Sequence, residues 1–201
     1  RAALYDAEIR AMHFHIGRLL DHLRETGRYD STYVVAVADH GELLGEQNAM
    51  GHGASLFEPE LRIPLLVKPL PGEAPRGARP EPIQISDVFP MIISRAGLPV
   101  PEDTQSVFPP PADRPVFAEV NPLPSFGRRG DWRGVVHGDW KYLESGKGDR
   151  LLFDLANDPG ETTNAAGANP GVAARLRTTL ESWMASLPPP AAAAAAPATQ
   201  A

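Results

Sequence analysis

The 201-residue chain contains no cysteine, which excludes a disulfide framework and a thiolate metal site within these residues. No apolar run approaches the roughly 20 residues that a membrane-spanning helix needs. Basic residues do not form the stripe that follows nucleic-acid phosphates, and 19 basic against 25 acidic residues leave a formal charge of −6. We therefore expect no membrane span and no nucleic-acid partner.

The chain also lacks an initiator methionine and a signal-peptide pattern, and helical periodicity is present from its first residues. We interpret the sequence as part of a longer protein whose beginning is missing, which leaves the compartment open. Its length suits one domain plus a smaller appendage.

A helix and a strand are predicted at the start of the chain. Apolar residues between positions 3 and 24 recur at spacings of three and four, which predicts an amphipathic helix. Gly27 supplies the left-handed residue on which such helices commonly end. Residues 33–38 (Y-V-V-A-V-A) are apolar without alternation, so they predict a strand that is buried on both faces. This order indicates an α/β architecture.

The rest of the chain divides at a proline-rich linker. Before it, residues 61–68 predict a second strand and residues 86–96 predict a helix with Pro90 in its first turn. After it, short strands are predicted over 115–120, 132–137, 139–144 and 151–155, and a helix over 170–187. We therefore predict an α/β unit over residues 1–112, an α+β subdomain over 113–187 with the helix on one face of an antiparallel sheet, and a disordered Pro/Ala tail over 188–201.

Two potential metal ligands follow the first predicted strand. Asp39 and His40 lie at the strand end where open α/β sheets bind ligands, and Gly41 allows the backbone to turn there. A carboxylate oxygen and a neutral imidazole nitrogen are ordinary ligands of a divalent cation, although two ligands are too few for a tight site. The alternative is that Asp39 caps a following helix and His40 is a plain loop residue.

A second histidine lies twelve residues further on, in M-G-H-G-A-S-L-F-E-P-E-L-R-I-P-L-L-V-K (residues 50–68). Together with V-A-D-H-G-E-L-L-G-E (residues 37–46), this segment resembles the C-terminal half of the sulfatase family within the alkaline phosphatase superfamily. The helix Y-D-A-E-I-R-A-M-H-F-H-I-G-R-L-L-D-H-L and the downstream segments G-D-W-K-Y-L and L-F-D-L-A-N-D-P-G-E-T-T-N resemble the same family in the same order. The resemblance covers most of residues 1–187.

The resemblance implies a fold and an activity. The fold is the C-terminal part of an alkaline-phosphatase-like α/β sandwich, over residues 1–112, followed by the small α+β subdomain. The activity is hydrolysis of a small-molecule or sugar sulfate ester by a formylglycine hydrate, made from Cys or Ser in a C/S-x-P-x-R motif. One divalent metal is implied, usually calcium, with manganese or zinc as alternatives.

The resemblance also assigns roles to individual residues. Asp39 and His40 match metal ligands of the family, and His52 matches a catalytic position that contacts the sulfate or its leaving oxygen and could supply a proton. The C/S-x-P-x-R motif does not occur in these 201 residues. We expect the nucleophile and the aspartates that complete the metal site to lie upstream of this chain.

Other histidines and charged residues are interpreted as structural. His13 stands where the family most often has Asp, but residues two apart on a helix point about 200° from each other, so His13 and His15 cannot chelate one ion. We expect one of them to be buried and the other solvated. Glu58 and Arg62, four residues apart, predict an ion pair that holds the metal loop against the sheet.

Glu42 and Glu46 are expected on a solvated helix face near the pocket. In the subdomain, Lys141 and Tyr142 are interpreted as packing residues, and His137 as a hairpin residue with the pocket rim as the alternative. The tryptophans are expected to join the two units or to fill the small core: they are Trp132, Trp140 and Trp183.

Two other functions remain open at this point. The same D-H-G sequence and following histidine would serve a phosphonate or phosphate ester hydrolase on the same scaffold. The missing nucleophile motif is also compatible with a non-catalytic module that binds a metal or a partner. Because a sheet without its remaining strands leaves apolar surface uncovered, we expect these residues to aggregate when expressed alone.

Overall fold

A computed structural model describes residues 2–73, 77–78, 82–102, 104, 109–121 and 131–188. The tail that the sequence predicts as disordered lies, apart from Pro188, outside the described residues. In the part of the chain that is described, no helix combines the length and the apolar character needed to cross a bilayer.

The first part of the fold is a long helix and a two-stranded ribbon. Helix α1 (Ala2–Glu25) ends just before Gly27, whose φ of +70° is the left-handed conformation expected there. Strand β1 (Val34–Val37) pairs antiparallel with β4 (Leu65–Lys68). The predicted α1 and β1 are confirmed within one residue at each end, whereas β4 begins four residues later than predicted.

The prediction that β1 is buried on both faces is wrong for this chain. Ala36 and Val37 are exposed, and Leu66 of the neighbouring strand is 67% exposed. Branched apolar residues favour an extended backbone, but burial depends on what covers the sheet, and among the described residues β1 pairs with β4 alone. Helix α1 buries no residue either, so His13 and His15 are both exposed and the expectation that one is buried is also wrong.

A small hairpin and a short helix connect β1 to β4. Strands β2 (Leu43–Leu44) and β3 (Met50–Gly51) pair antiparallel around a 3₁₀ turn at Glu46–Asn48. Helix α2 (Glu58–Leu61) follows and ends at Leu61, the first residue of the predicted second strand. Because Gly45 has a φ of +140°, no helix runs through Glu42 and Glu46, and their predicted helix face is wrong.

Helix α3 (Val88–Arg95) confirms the helix predicted over residues 86–96, and a 3₁₀ turn at Ile85–Asp87 precedes it. Pro90 lies in its first turn, where a missing N–H leaves no intrahelical bond unmade.

The second part is a four-stranded antiparallel sheet with one helix on its face. The strands are β5 (Val116–Val120), β6 (Trp132–His137), β7 (Trp140–Ser145) and β8 (Arg150–Asp154), in that spatial order, followed by α4 (Pro170–Ser186). These elements confirm the antiparallel sheet and helix predicted from the sequence. Gly138, at a φ of +59°, makes the tight turn between β6 and β7.

The sheet carries a cluster of apolar side chains on each face. On the face that α4 covers, Val135, Tyr142 and Leu152 pack against helix residues, with Trp140 and Trp183 beside them. On the other face, the segment before α2 covers the sheet through a cluster of three buried side chains with Trp132 at its side: Leu56, Leu143 and Phe153. The tryptophans therefore fill the small core and the junction between the two parts, as predicted.

Candidate functional site

Asp39 and His40 follow β1 and present two adjacent atoms that can bind a metal ion. The backbone N–H of His40 donates to Asp39 Oδ1 at 3.0 Å, and this hydrogen bond holds the pKa of the Asp39 carboxyl below its ordinary value. His40 Nδ1 lies 2.9 Å from the carbonyl oxygen of Gly41. Because a carbonyl oxygen can only accept, Nδ1 carries the proton and Nε2 keeps its lone pair.

The two potential metal-binding atoms, Asp39 Oδ2 and His40 Nε2, are spaced to share one cation. Asp39 Oδ2 and His40 Nε2 are 3.8 Å apart, and an ion about 2.0–2.6 Å from each atom bridges such a gap. Both side chains are exposed. Within the described ranges, no group of three or more His, Asp or Glu residues is arranged to hold a metal. The donors present therefore fit part of a divalent-cation site.

The third predicted site residue, His52, lies against His40. Their ring centroids are 4.1 Å apart and the rings are tilted by 33°. His52 Nδ1 donates to Glu42 Oε2 at 2.7 Å, so Nε2 is the ring nitrogen left for another partner. The structure thus brings Asp39, His40 and His52 together at one exposed surface.

Glu42 is a site residue that sequence reasoning missed. In the β2–β3 ribbon Leu43 lies opposite Gly51, and this register brings Glu42 beside His52. The Glu42 carboxylate orients the His52 imidazole, whereas the sequence analysis placed Glu42 on a solvated helix face. The spacing of Gly45 between two short apolar pairs is the signal that could have indicated a hairpin here.

Glu60 is the second residue that was missed, and it fixes the backbone on both sides of the site. Its buried carboxylate accepts the N–H of Gly53 at 2.6 Å and the hydroxyl of Ser55. Its carbonyl oxygen accepts the N–H of Gly41 at 2.8 Å. Glu60 therefore holds the residue after His40 and the residue after His52 from one turn of α2.

Gly41 meets α2 so closely that only glycine fits. A Cβ at this position would lie 1.9 Å from the carbonyl oxygen of Pro59, far inside any tolerated contact. The glycine of D-H-G is therefore required by the close approach of two backbone segments.

The predicted ion pair of Glu58 and Arg62 is wrong, because Glu58 pairs with Lys141 instead. Lys141 Nζ lies 3.0 Å from Glu58 Oε1 and 2.7 Å from Glu161 Oε1, and the lysine is fully buried. Arg62 is exposed. The role predicted for Lys141, packing alone, is therefore incomplete: the subdomain supplies a buried cation to the base of α2.

His137, the hairpin residue of the subdomain, binds Asp113 through Nε2 at 2.9 Å. Its partner lies in the segment before β5, which is consistent with the structural role that the sequence favours.

Comparison with known proteins adds independent information. The sequence model of the sulfatase family matches residues 1–98. Arylsulfatase K of Xenopus laevis is 30% identical over 172 residues, which cover 77% of this chain and 32% of that protein. Choline-sulfatase of Rhizobium meliloti (strain 1021) is 32% identical over 168 residues, covering 81% of this chain and 32% of the relative.

Solved structures share the fold. One protein in complex with its substrate, D-glucosamine-2-N,6-O-disulfate, superposes with a TM-score of 0.78 at 25% identity, covering 88% of this chain and 39% of that one. Phosphonate monoester hydrolase of Agrobacterium radiobacter superposes with a TM-score of 0.67 at 22% identity, over 84% and 38% of the two chains. The chain spans about a third of the length of the curated relatives it matches.

Proposed function

Since the chain belongs to the sulfatase family within the alkaline phosphatase superfamily, we propose that the full-length protein hydrolyses a sulfuric ester at a site to which this chain contributes Asp39, His40 and His52. One observation carries the proposal: these three side chains converge at the end of β1 although His52 is twelve residues from His40. The convergence supports one reaction centre.

The proposed cofactor is a divalent cation held by Asp39 Oδ2 and His40 Nε2 together with ligands from elsewhere in the protein. When bound, such a cation neutralises charge on the sulfuryl oxygens. Calcium is proposed from the family resemblance, while the imidazole donor also suits manganese or zinc. We propose that the nucleophile, a formylglycine, is likewise supplied from outside these residues.

His52 is proposed to act on the ester oxygen that leaves. Glu42 accepts from Nδ1 and fixes the ring. When the imidazole is protonated on both nitrogens, Nε2 can donate a hydrogen bond or its proton to that oxygen. A donor held in place before the reaction stabilises charge that develops during bond cleavage without a cost in reorganisation. Glu42 is thus proposed as the residue that orients the acid.

The proposed substrate is a small sulfate ester. The chain's relatives include an arylsulfatase and a choline-sulfatase, and the substrate bound in the similar solved structure is a sulfated glucosamine. The decisive measurement is sulfate release by the full-length enzyme from an aryl sulfate, choline sulfate and glucosamine-N,6-O-disulfate. We expect turnover of at least one, and the absence of sulfate release from all three sulfate-ester classes would contradict the proposal.

A second candidate is a phosphonate or phosphate ester hydrolase. It is favoured by a relative from Trinickia caryophylli, a multifunctional alkaline phosphatase superfamily protein that is 29% identical over 199 residues, covering 81% of this chain and 35% of the relative. A cation with a hydrogen-bonding imidazole suits phosphoryl transfer as well. Preference for an aryl phosphonate over the aryl sulfate in the same assay would favour this candidate. Turnover of neither class would favour the non-catalytic module.

A further inference from the structure

Glu161 lies in the segment L-F-D-L-A-N-D-P-G-E-T-T-N after β8, yet it contacts the part of the fold that carries the site. Its side chain is buried, and Oε2 accepts the backbone N–H of Glu58 at 2.6 Å. Its Oε1 lies 2.7 Å from the Lys141 ammonium. The carbonyl oxygens of Gly160 and Glu161 both accept from Gln47 Nε2, at 3.0 and 2.8 Å.

The backbone at this contact has an uncommon conformation on both sides. Glu161 has a φ of +54° and Gln47 a φ of +53°. The left-handed region is uncommon for residues other than glycine, and a residue stays there when the surrounding structure determines its conformation. Here two such residues hydrogen-bond to each other across 114 positions of sequence. The contact therefore holds Gln47 and Glu161 in a backbone conformation that their residue types disfavour.

Glu161 supplies the hydrogen-bond acceptor that the start of α2 lacks. The residue before this helix, Phe57, has no side chain that can accept a hydrogen bond from the first turn. The Glu161 carboxylate accepts the first N–H instead, while Lys141 pairs with both Glu58 and Glu161. The start of α2 is thus held by the subdomain.

Helix α2 in turn holds the backbone beside the site residues. Glu60, two residues after Glu58, holds the N–H groups of Gly53 and Gly41, which directly follow His52 and His40. Gln47 lies in the turn between β2 and β3, so its anchor fixes the hairpin that sets Glu42 against His52. Two routes therefore run from Glu161 to the two imidazoles, and each step is a direct contact.

We propose that Glu161 is a positioning residue of the reaction centre: from the C-terminal subdomain it holds α2 and the Gln47 turn, and thereby sets the relative placement of His40 and His52. This inference rests on the proposed function for its effect on catalysis. The contact itself is a property of the fold, so the two can be tested apart. The apolar cluster under α4 lies on the opposite face of the sheet, so a substitution in that cluster serves as a control for loss of stability.

The test compares three variants of the full-length enzyme. Gln47→Ala removes two hydrogen bonds and leaves the buried ion pairs intact, whereas Glu161→Gln keeps the size of the side chain and removes its charge. Leu176→Ala is the matched control, because Leu176 is a buried residue of α4, on the face of the sheet opposite to the contact. Displacement of reacting groups by about 1 Å can cost 10²-fold in rate.

We expect Gln47→Ala and Glu161→Gln to lower kcat roughly tenfold or more with KM within about twofold, because the chemical groups move while substrate binding is kept. Leu176→Ala is expected to lower the melting temperature and to keep kcat. The proposal is overturned if kcat is kept in Gln47→Ala, or if the loss of kcat in all three variants simply follows the loss of melting temperature.

Hydrogen exchange at the amides of Gly41, Gly53 and Glu58 decides the inference even if the enzyme turns over no sulfate ester. Faster exchange at these amides in Gln47→Ala than in Leu176→Ala supports the coupling. Equal exchange in the two variants contradicts it. Failure of the proposed function shows instead as a wild-type enzyme without sulfate release.

Discussion

The imidazole rings of His40 and His52 lie with their centroids 4.1 Å apart, although twelve residues separate them in the chain. The antiparallel pairing of Leu43 with Gly51 reverses the chain between them, and Glu60 ties down the residue that follows each ring. The local chain reversal therefore brings the two rings together, and the contacts from Glu161 support the helix and the turn that hold them there.

Replacement of His52 tests its proposed role in leaving-group departure. We expect His52→Ala to lower kcat on a sulfate ester by about 10²-fold or more, because general-acid contributions are of that size. The measurement is steady-state kinetics with substrates whose leaving groups differ in pKa. The loss should be largest for the poorest leaving group, since that group needs the proton most.

His137→Ala is the matched control, because His137 is bound to Asp113 away from the paired imidazoles. It should keep kcat within about twofold. Equal losses in the two variants, or a His52→Ala loss that is independent of the leaving group, would rule out the acid role.

Removal of the Asp39 carboxylate tests the cation site. We expect Asp39→Asn to weaken binding of the divalent metal by at least about tenfold, because a neutral amide replaces an anionic ligand. The measurement is metal content after dialysis against a graded chelator, with Asp30→Asn as a control on an exposed residue of the neighbouring turn. Unchanged metal retention in Asp39→Asn would show that the cation is held elsewhere.

A methyl group added at Gly41 should disrupt the site by sterics alone. We expect Gly41→Ala to destabilise the protein by about 1–3 kcal/mol and to lower activity, because its Cβ would collide with the Pro59 carbonyl. Gly17→Ala is the matched control: its Cβ meets nothing within 4 Å, and alanine in a helix is up to about 1 kcal/mol more favourable than glycine. Thermal denaturation of both variants checks the opposite signs, and a neutral Gly41→Ala would refute the close approach.

Secondary structure could be predicted from the sequence wherever local pattern decides it. The bounds of α1 and of the subdomain strands were predicted closely, since helical periodicity and turn residues act locally. Burial of β1 could not be predicted in the same way. An apolar run shows what a strand can bury, whereas exposure depends on neighbours, and β4 is its sole partner strand among the described residues.

The same distinction, between local pattern and three-dimensional neighbours, applies to the site residues. Asp39 and His40 were named from their residue types at a strand end, and His52 from the resemblance to the sulfatase family. Glu42 and Glu60 were missed because a hairpin register brings the His52 imidazole to Glu42, and a helix turn brings Glu60 to the amides of Gly41 and Gly53. The role of Glu60 depends on three-dimensional placement without a local signal, whereas Gly45 is a local signal for the hairpin that places Glu42.

Acid should weaken the turn after β8 through Asp158. This carboxylate accepts the N–H groups of Thr162 and Thr163, and these hydrogen bonds hold its pKa below the ordinary value. A depressed pKa in the folded state contributes stability above the unfolded value of about 4, and that stability is lost as the pH falls through the folded pKa.

The measurement is the difference in melting temperature between the wild type and Asp158→Asn in the full-length protein. We expect the wild type to be the more stable at about pH 7 and the difference to shrink towards about pH 3. Asp6→Asn, on the exposed surface of α1, should show no such trend. If the difference in melting temperature stays constant with pH, the ionised Asp158 carboxylate is not the source of the stability.

The 201 residues expressed alone should associate through their first part. Helix α1 buries none of its apolar side chains, and Leu4, Phe14 and Leu19 are each more than half exposed. The ribbon adds Leu66 at 67% exposure, together with a strand edge that no strand among the described residues covers. Because contiguous apolar surface and unpaired edges drive association, we expect concentration-dependent aggregates that bind a hydrophobic dye. Residues 113–188, which retain the apolar cluster under α4, should bind less dye per chain at the same concentration. A monomeric 201-residue chain with one cooperative melt would contradict the prediction.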